Sequence, residues 1–553
     1  PGEQWHGAVS AGYGSSEASE GNFHVSGPLI QGKLGLSIAG RYEDRDGFTK
    51  NDTTGNTLDD REARFFKSQM QWAPADRLSV RFIFTNEHDH DGDYALGDLA
   101  AIRNRPFHVQ RDSEGFVNRD VLAPTLIVRY MDPKFELTST SGIVDWRTSE
   151  ATDLDYSAVA AARRENRQNG TQITQELRLT SPQDHPVVVG NDLKLKWQVG
   201  AFGFSQRYEQ DAVNHYAPFV LSPFIGFAVD QASSARLSDK GLGVYGHATL
   251  LIGDTIDVGA GLRGDRESKQ AELVTSYSPV IAAATVVDES RSYSKLSPEL
   301  NVAYHVDQNR MVYGSINRGY RAGGFNPTSP VGSEAYGEES SLSYEVGAKA
   351  ELLDHRVSVH AAAFYVAWDN LQLNLPNGQS YYVANAGDAK SQGLELEVKA
   401  QLSEEFSVFS SFGYADARFR NGATSISTSA SGTNSTVDVG GNKLVYAPEL
   451  TYSAGVQFTK KLDRGLTVYA RPELAGTGSY YYNAANTESQ KSYVLVNARV
   501  GVEGQRWFTE GWVKNLFDTR YVPVAFEYPN NQSGFIGEVG SPLTLGIRTG
   551  FKF

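Results

Sequence analysis

Residues 541–553 read Ser541-Pro542-Leu543-Thr544-Leu545-Gly546-Ile547-Arg548-Thr549-Gly550-Phe551-Lys552-Phe553. Leu543, Leu545, Ile547, Phe551 and Phe553 share one parity, and Thr544, Gly546, Arg548, Gly550 and Lys552 share the other. Successive side chains of a strand point to opposite faces, so this segment is a strand with one apolar face and one polar or small face. The same period recurs upstream. Leu78, Val80, Phe82 and Phe84 alternate with Arg77, Ser79 and Arg81. Ile256, Val258, Ala260 and Leu262 alternate with Asp257, Gly259, Gly261 and Arg263, and Leu34, Leu36 and Ile38 with Lys33, Gly35 and Ser37.

The connections alternate in length. Short turns fall near Pro74-Ala75-Asp76, Gly253-Asp254, Asp307-Gln308-Asn309, Asp354-His355 and Asp463-Arg464-Gly465. Long polar stretches lie between them at 46–59, 89–118, 148–169, 208–234, 267–289, 420–442 and 519–540. The count is about 22 strands, joined alternately by a short turn and a long loop, the pattern of a large outer-membrane barrel. The fold expected is therefore all-β: an antiparallel transmembrane β-barrel whose short turns face the periplasm and whose long loops face outside. A sandwich or propeller would not segregate connections this way, and no motif of propeller length repeats. The polar strand face would line a wet lumen and the apolar face would meet lipid. Trp5, Tyr42, Trp72, Tyr130, Trp146, Trp197, Tyr304 and Trp507 fall near strand ends, where interfacial girdles form, although ordinary sheet aromatics would read the same.

Composition agrees. Of 553 residues 40% are hydrophobic, too few for a helical membrane protein, while Tyr 28 and Phe 27 are too many for a disordered one. With Cys 0 there is no disulfide scaffold, thiolate metal site or cysteine nucleophile. A net charge of −14 argues against nucleic acid as a partner. Pro1-Gly2-Glu3-Gln4 has no signal-peptide character. The longest uncharged runs, 212–229 and 370–387, contain prolines, glycine or amides and would make poor spanning helices.

Several motifs carry a family resemblance. They are Gln175-Glu176-Leu177-Arg178-Leu179, Gly319-Tyr320-Arg321-Ala322-Gly323-Gly324-Phe325-Asn326, Tyr344-Glu345-Val346-Gly347-Ala348-Lys349, Asn385-Ala386-Gly387 with Gly393-Leu394-Glu395-Leu396-Glu397, and Val513-Lys514-Asn515-Leu516-Phe517-Asp518 with Tyr521. In order and spacing the chain resembles the β-barrel domain of TonB-dependent outer-membrane receptors over essentially its whole length. The resemblance implies one barrel domain over 1–553, in the bacterial outer membrane, with outer-membrane lipid around it. It implies a scarce nutrient complex as cargo, a ferric siderophore first. Cobalamin, heme, a saccharide or an aromatic compound use the same fold. It implies a TonB complex acting through an N-terminal plug that this chain does not contain. A plugless channel, passive or gated by a partner, is the alternative. Phe551 and Phe553 match the aromatic signal read by the barrel-assembly machinery.

Candidate site residues come from the loops. Glu87-His88-Asp89-His90-Asp91-Gly92-Asp93 packs six metal-capable side chains into seven positions, so His88, Asp89, His90 and Asp91 are candidate metal ligands. Gly92 precedes the third Asp, which breaks the calcium-loop spacing, and a solvated acidic loop is the structural alternative. The apolar run 217–227 puts Phe219 and Phe224 in an external loop, as a ligand wall or as loop packing. Tyr480, Tyr481 and Tyr482 end a strand and alternate faces, so at least one is expected to point inward. Tyr94, Phe219, Phe224, Tyr320, Arg321, Phe325, Tyr480 and Tyr482 are the candidate ligand contacts. No resident cofactor is expected, and no enzyme constellation occurs: GxSxG, HExxH and P-loop motifs are missing. Gly241-Leu242-Gly243-Val244-Tyr245-Gly246 matches GxGxxG, but a strand follows it where a nucleotide site needs a helix. The loop chemistry is mixed, with a Ser/Thr-rich run at 424–436 beside the acidic and apolar ones.

Overall fold

The computed structural model describes residues 2–182, 186–377, 380–428 and 434–553. Twenty-three strands form one sheet. One of them, Val187–Gly190, is a short piece folded back on Leu193 and Leu195. The other 22 run round a closed antiparallel barrel in chain order. The ring shuts where His6–Gly14 pairs with Thr544–Lys552, in register from Ala8 opposite Lys552 to Gly14 opposite Gly546. A barrel leaves no sheet edge unpaired, which is what lets strands cross lipid. Gly32 and Gly253 take φ of +69° and +59° in short turns, the left-handed region that favours glycine.

The two faces follow the sequence alternation. Leu242, Val244, Leu262, Ile547 and Phe551 are exposed on the outer wall. Inside, Arg548 reaches Glu510 at 3.1 Å and Arg263 reaches Asp265 at 2.7 Å. Trp5, Tyr42, Trp72, Tyr130, Tyr304 and Trp507 are exposed outward, as a girdle requires. Trp146 is not part of it. It sits opposite Gly170 on the lumen face, its ring 5.9 Å from that of Tyr208.

Several stretches that read as loops are ladder. Pairing continues from Arg147–Asn169 to Asp153–Arg163, from Tyr208–Leu237 to Tyr216–Val229, and from Glu267–Tyr293 to Thr275–Thr285. The strands Leu193–Tyr216 and Val229–Ile252 have 24 residues each, whereas about 10 cross a bilayer. The excess stands outside the membrane. There both faces of the ribbon are wet, so the apolar half of the alternation vanishes and the sequence looks like loop. Conversely, the connections 322–338, 370–377 with 380–388, and 478–492 stand outside the barrel ladder though polarity did not mark them, because they are partly apolar and pack on one another; Gln372–Asn377 and Ser380–Asn385 pair as a hairpin of their own. Of the Ser/Thr-rich run, 429–433 lies outside the described residues, and its flanks pair as Thr424–Thr428 with Asn434–Asp438.

Buried apolar clusters gather at the loop end. Leu58, Leu99, Ile102, Val109, Tyr480, Tyr482, Val522 and Ala525 form one, joining four different loops. Within it lies the single α-helix of the described residues, Leu99–Asn104, capped by Asp98, whose carboxylate accepts the Ala101 N–H at 3.0 Å.

Candidate functional site

The strands deliver two packed loop groups to one rim. On one side the connections 46–60, 93–115, 154–161, 478–492 and 515–543 lock together. Arg111 is completely buried there, with Nη1 donating to Asp93 Oδ2 at 2.7 Å. Asn51 clamps the Arg111 backbone, and the guanidinium lies 4.7 Å from the centre of the Tyr156 ring. Burial still raises the Asp93 carboxyl above its ordinary value despite that guanidinium.

Asp112, Asp153 and Asp155 bring one ligand atom each within 4.8 Å of the others, beside that pair. Asp153 is fully buried. Its Oδ1 accepts the N–H groups of Asp155 and Tyr156 at 3.1 and 3.0 Å, and its Oδ2 has no partner. Burial first, and the Asp155 charge second, push its carboxyl up to about 8. Asp155 is held by Ser157 and by the Ala162 N–H. These acids knit the loops.

Opposite, the tall strands and the connections 217–228, 322–338 and 370–388 enclose a cavity of about 320 Å³. Arg164, Asn214, Tyr216, Gln231, Tyr277 and Ser329 line it. Asn214 donates to Tyr216 and Gln231 at 3.2 Å, and Gln231 donates to the Tyr277 hydroxyl at 3.1 Å. Among the described residues Arg164 Nε, Asn214 Oδ1 and Ser329 Oγ are buried without a partner. Buried polar atoms are normally satisfied, so this wall offers a donor, an acceptor and a hydroxyl to something that enters. Sequence reasoning missed these residues because 148–169, 208–234 and 267–289 carried no periodic signal. An arginine among tyrosines and amides at paired strand ends was the only trace.

The candidates named from sequence scatter. Phe224 is 95% exposed and Phe219 is 63% exposed, on the loop whose Leu221 borders the cavity. Tyr320 has a buried hydroxyl with no partner, and Lys295 Nζ lies 5.8 Å from its ring centre. Arg321 is exposed at the end of the same strand and makes no ion pair among the described residues. Phe325 is buried against Ala235, Ala271 and Leu273. Tyr480 and Tyr482 are buried too. Their hydroxyls donate to Pro523 O at 2.9 Å and Val522 O at 2.7 Å, so both side chains fasten the 515–543 connection. Tyr94 is 44% exposed, with its hydroxyl 3.4 Å from Glu150.

The acidic-histidine run does not converge. It is strand, so His88 and His90 share one face while Asp89 and Asp91 share the other. His88 and His90 touch Nε2 to Nε2 at 2.8 Å, and His88 Nδ1 meets Asp120. Asp89 instead accepts from Arg119 at 2.6 Å. The strand period parts the four candidate ligands into two pairs. Phe551 and Phe553 lie exposed on the outer wall of the closing strand, and Phe553 exchanges backbone hydrogen bonds with Gly7 at 2.9 and 3.0 Å.

Known proteins share this architecture. A family model described as TonB dependent receptor-like, beta-barrel, matches residues 81–516. The pesticin receptor of Yersinia pestis is 24% identical over 557 aligned residues, which cover 99% of this chain and 76% of that protein. The ferrichrome outer membrane transporter/phage receptor of Escherichia coli is 29% identical over 214 residues, 36% of this chain and 26% of that protein. The crystal structure of the ferric yersiniabactin uptake receptor FyuA from Yersinia pestis superposes with a TM-score of 0.85 at 20% identity, covering all of this chain (100%) and 80% of that one. The siderophore receptor PiuA from Acinetobacter baumannii gives 0.80 at 14% identity, covering 100% and 82%. With the family model spanning most of its strands, the chain belongs to the TonB-dependent receptors of the outer membrane, a family of transport receptors, and is built as their β-barrel.

Proposed function

We propose that this barrel serves uptake of a ferric siderophore, with the mouth cavity as a point of contact for the incoming complex. The observation that carries this is the set of buried, unpartnered atoms on Arg164, Asn214 and Ser329 beside two tyrosines. Ferric chelates are bulky and commonly anionic, with ring and amide groups at their surface. An arginine, amides and phenols suit such a surface. The chain-long similarity to the pesticin receptor supports the reading. Arg321 and Tyr320, the latter with a hydroxyl that has no hydrogen-bond partner among the described residues, extend the contact down the wall, while Phe219 and Phe224 stand at its rim as an apolar border. The other candidates, Phe325, Tyr480 and Tyr482, act at one remove by holding loops in place.

Tight capture slows release, so uptake needs an energy source. The TonB complex supplies it through a plug domain N-terminal to the barrel. Phe551 and Phe553 are the residues offered to the barrel-assembly machinery. The test is uptake of radioactive iron by iron-starved cells that carry or lack this receptor, over a panel of hydroxamate, catecholate and phenolate-thiazoline chelates. One chelate taken up only with the receptor, and only with TonB present, is the expected result. Uptake of every chelate unchanged by the receptor's loss would end the siderophore reading.

A further inference from the structure

The strand Leu78–Gly92 carries the one histidine pair in contact among the described residues. His88 and His90 are two positions apart, so both point to the same side of the wall. That side is the outer one. Phe82 shares their parity and is exposed, as are Met70 and Leu126, which face it on the two neighbouring strands. Across those strands His88 lies between Arg64 and Asp120, and His90 between Glu62 and Asn118. Tyr42, of the outward girdle, faces Arg64 in turn, which places the pair at the loop-side limit of the apolar band.

The contact between the two rings has a definite proton count. His88 Nδ1 meets an oxygen of the Asp120 carboxylate, an acceptor that holds the ring proton on Nδ1. In the neutral pair His88 Nε2 is then a bare lone pair. It lies 2.8 Å from His90 Nε2, which carries the one proton that the two nitrogens share. The rings are tilted 57° to each other with centroids 4.4 Å apart, so nitrogen meets nitrogen rather than face meeting face.

A metal ion can take the place of that proton. Imidazole nitrogens bind zinc at about 2.0–2.1 Å, so two of them on a tetrahedral ion stand about 3.4 Å apart. The pair opens from 2.8 Å to that spacing by small side-chain rotations. Metal-binding histidines give their other ring N–H to a carboxylate, which fixes the tautomer and makes the ligand more basic, and Asp120 stands in that place. Local charge favours a cation, because Glu62 pairs with Arg64 and leaves the Asp120 charge in surplus. The other acids of the run are spent on the opposite face, where Arg119 holds Glu87 at 2.5 Å and Asp89 at 2.6 Å. No third His, Asp or Glu atom gathers with the pair among the described residues. Water completes the shell, and His90 is exposed to it.

We propose that His88 and His90 form a two-imidazole site for a divalent transition-metal ion of the copper and zinc class, with Asp120 as its positioning residue. Imidazole suits these ions, whereas calcium and magnesium take oxygen ligands. At the same donors copper(II) binds more tightly than zinc. The exchange balances: the ion enters, and the proton shared by the two Nε2 atoms leaves to water. The site lies on the outside of the wall, apart from the mouth cavity, and does not depend on whatever cargo is accepted there.

The test uses the receptor extracted from outer membranes in detergent and stripped with a chelator. Cu²⁺ is titrated in, affinity is read by calorimetry, and the ligand atoms are read by electron paramagnetic resonance. The parent should bind Cu²⁺ with the hyperfine pattern of two imidazole nitrogens, Zn²⁺ should compete for the site, and an equal concentration of Ca²⁺ should not. H88Q/H90Q should abolish that pattern. H90Q alone, at an exposed position, should weaken binding about tenfold or more, which keeps the test open if the double variant assembles poorly. D120N should weaken binding by about tenfold while the two-nitrogen pattern survives, and D120E should restore most of the affinity. D91N, on the opposite face of the strand, should bind like the parent. A two-nitrogen pattern that persists in H88Q/H90Q, a parent without one, or a loss in D91N as large as in H90Q would overturn the proposal. Displacement by Ca²⁺ would mark a carboxylate site and overturn the imidazole assignment.

Discussion

Asp93 and Arg111 meet at 2.7 Å with both side chains fully buried, in a loop layer outside the membrane. Removing one partner of such a pair leaves the other charge uncompensated, at a cost of about 3–5 kcal/mol. D93N should therefore loosen the connections 46–60 and 93–115, seen as lost hydrogen-exchange protection there. D93L/R111M should recover much of it, because the paired charges leave together. Unchanged protection in D93N would show that the pair does not hold these loops.

Asp153 gives the loop layer a pH dependence of known sign. Its carboxyl is raised from an ordinary 3.8 to about 8 in the fold, so the folded layer prefers the protonated form. The associated stability is present at low pH and is lost as pH rises from near 4 through about 8. Exchange protection of the backbone around 112 and 153–157 should fall across that window, and D153N should flatten the profile. A parent profile that is already flat would refute the assignment.

Close approach inside the barrel predicts a steric effect. Tyr245 lies over Gly200 on the facing strand, and a Cβ at 200 would sit 2.5 Å from the ring. Tyr245 is also tied down by its hydrogen bond to Glu176 at 2.6 Å, so it cannot swing aside freely. G200V should cost about 1–3 kcal/mol, and Y245A in the same chain should relieve much of it. The temperature at which the folded band disappears on a gel measures this. No shift in G200V would mean that the ring moves at little cost.

The mouth cavity predicts a loss of affinity. R164Q removes the one charged group among its unpartnered atoms. A hydrogen bond to a charged group contributes about 1.5–3 kcal/mol, so ligand affinity should fall by about tenfold or more. Equilibrium binding to intact cells in the cold separates this from transport. Normal binding by R164Q would move the contact elsewhere on the rim.

Legibility followed solvent. Where one strand face met lipid, as at Leu242 or Ile547, alternation was plain and the barrel could be counted. Where both faces met water, as from Tyr208 to Tyr216, the same ladder left no period and read as loop. His88 to Asp91 do not converge as one set of four ligands for a related reason. Adjacency in sequence looked like convergence, but a strand sends neighbours to opposite sides. Tyr480 and Tyr482 were noticed as aromatic, yet their hydroxyls serve the backbone of Val522 and Pro523, some forty residues away in the chain. Such long-range bonds leave no mark in a local window. Arg164 was passed over because an arginine in a polar stretch is unremarked until its surroundings are dry.

The seam between His6–Gly14 and Thr544–Lys552 has a kinetic meaning. Gly7 and Phe553, which exchange the closing hydrogen bonds, are 553 − 7 = 546 positions apart. Until the second of these strands has been made, the first offers a bare row of donors and acceptors. Translation at about 5–20 residues per second keeps that row open for roughly half a minute to two minutes. A strand in that condition is a template for any extended chain that meets it. An unclosed barrel of this design therefore carries one free edge on which another extended chain can pair, and closing the seam removes it.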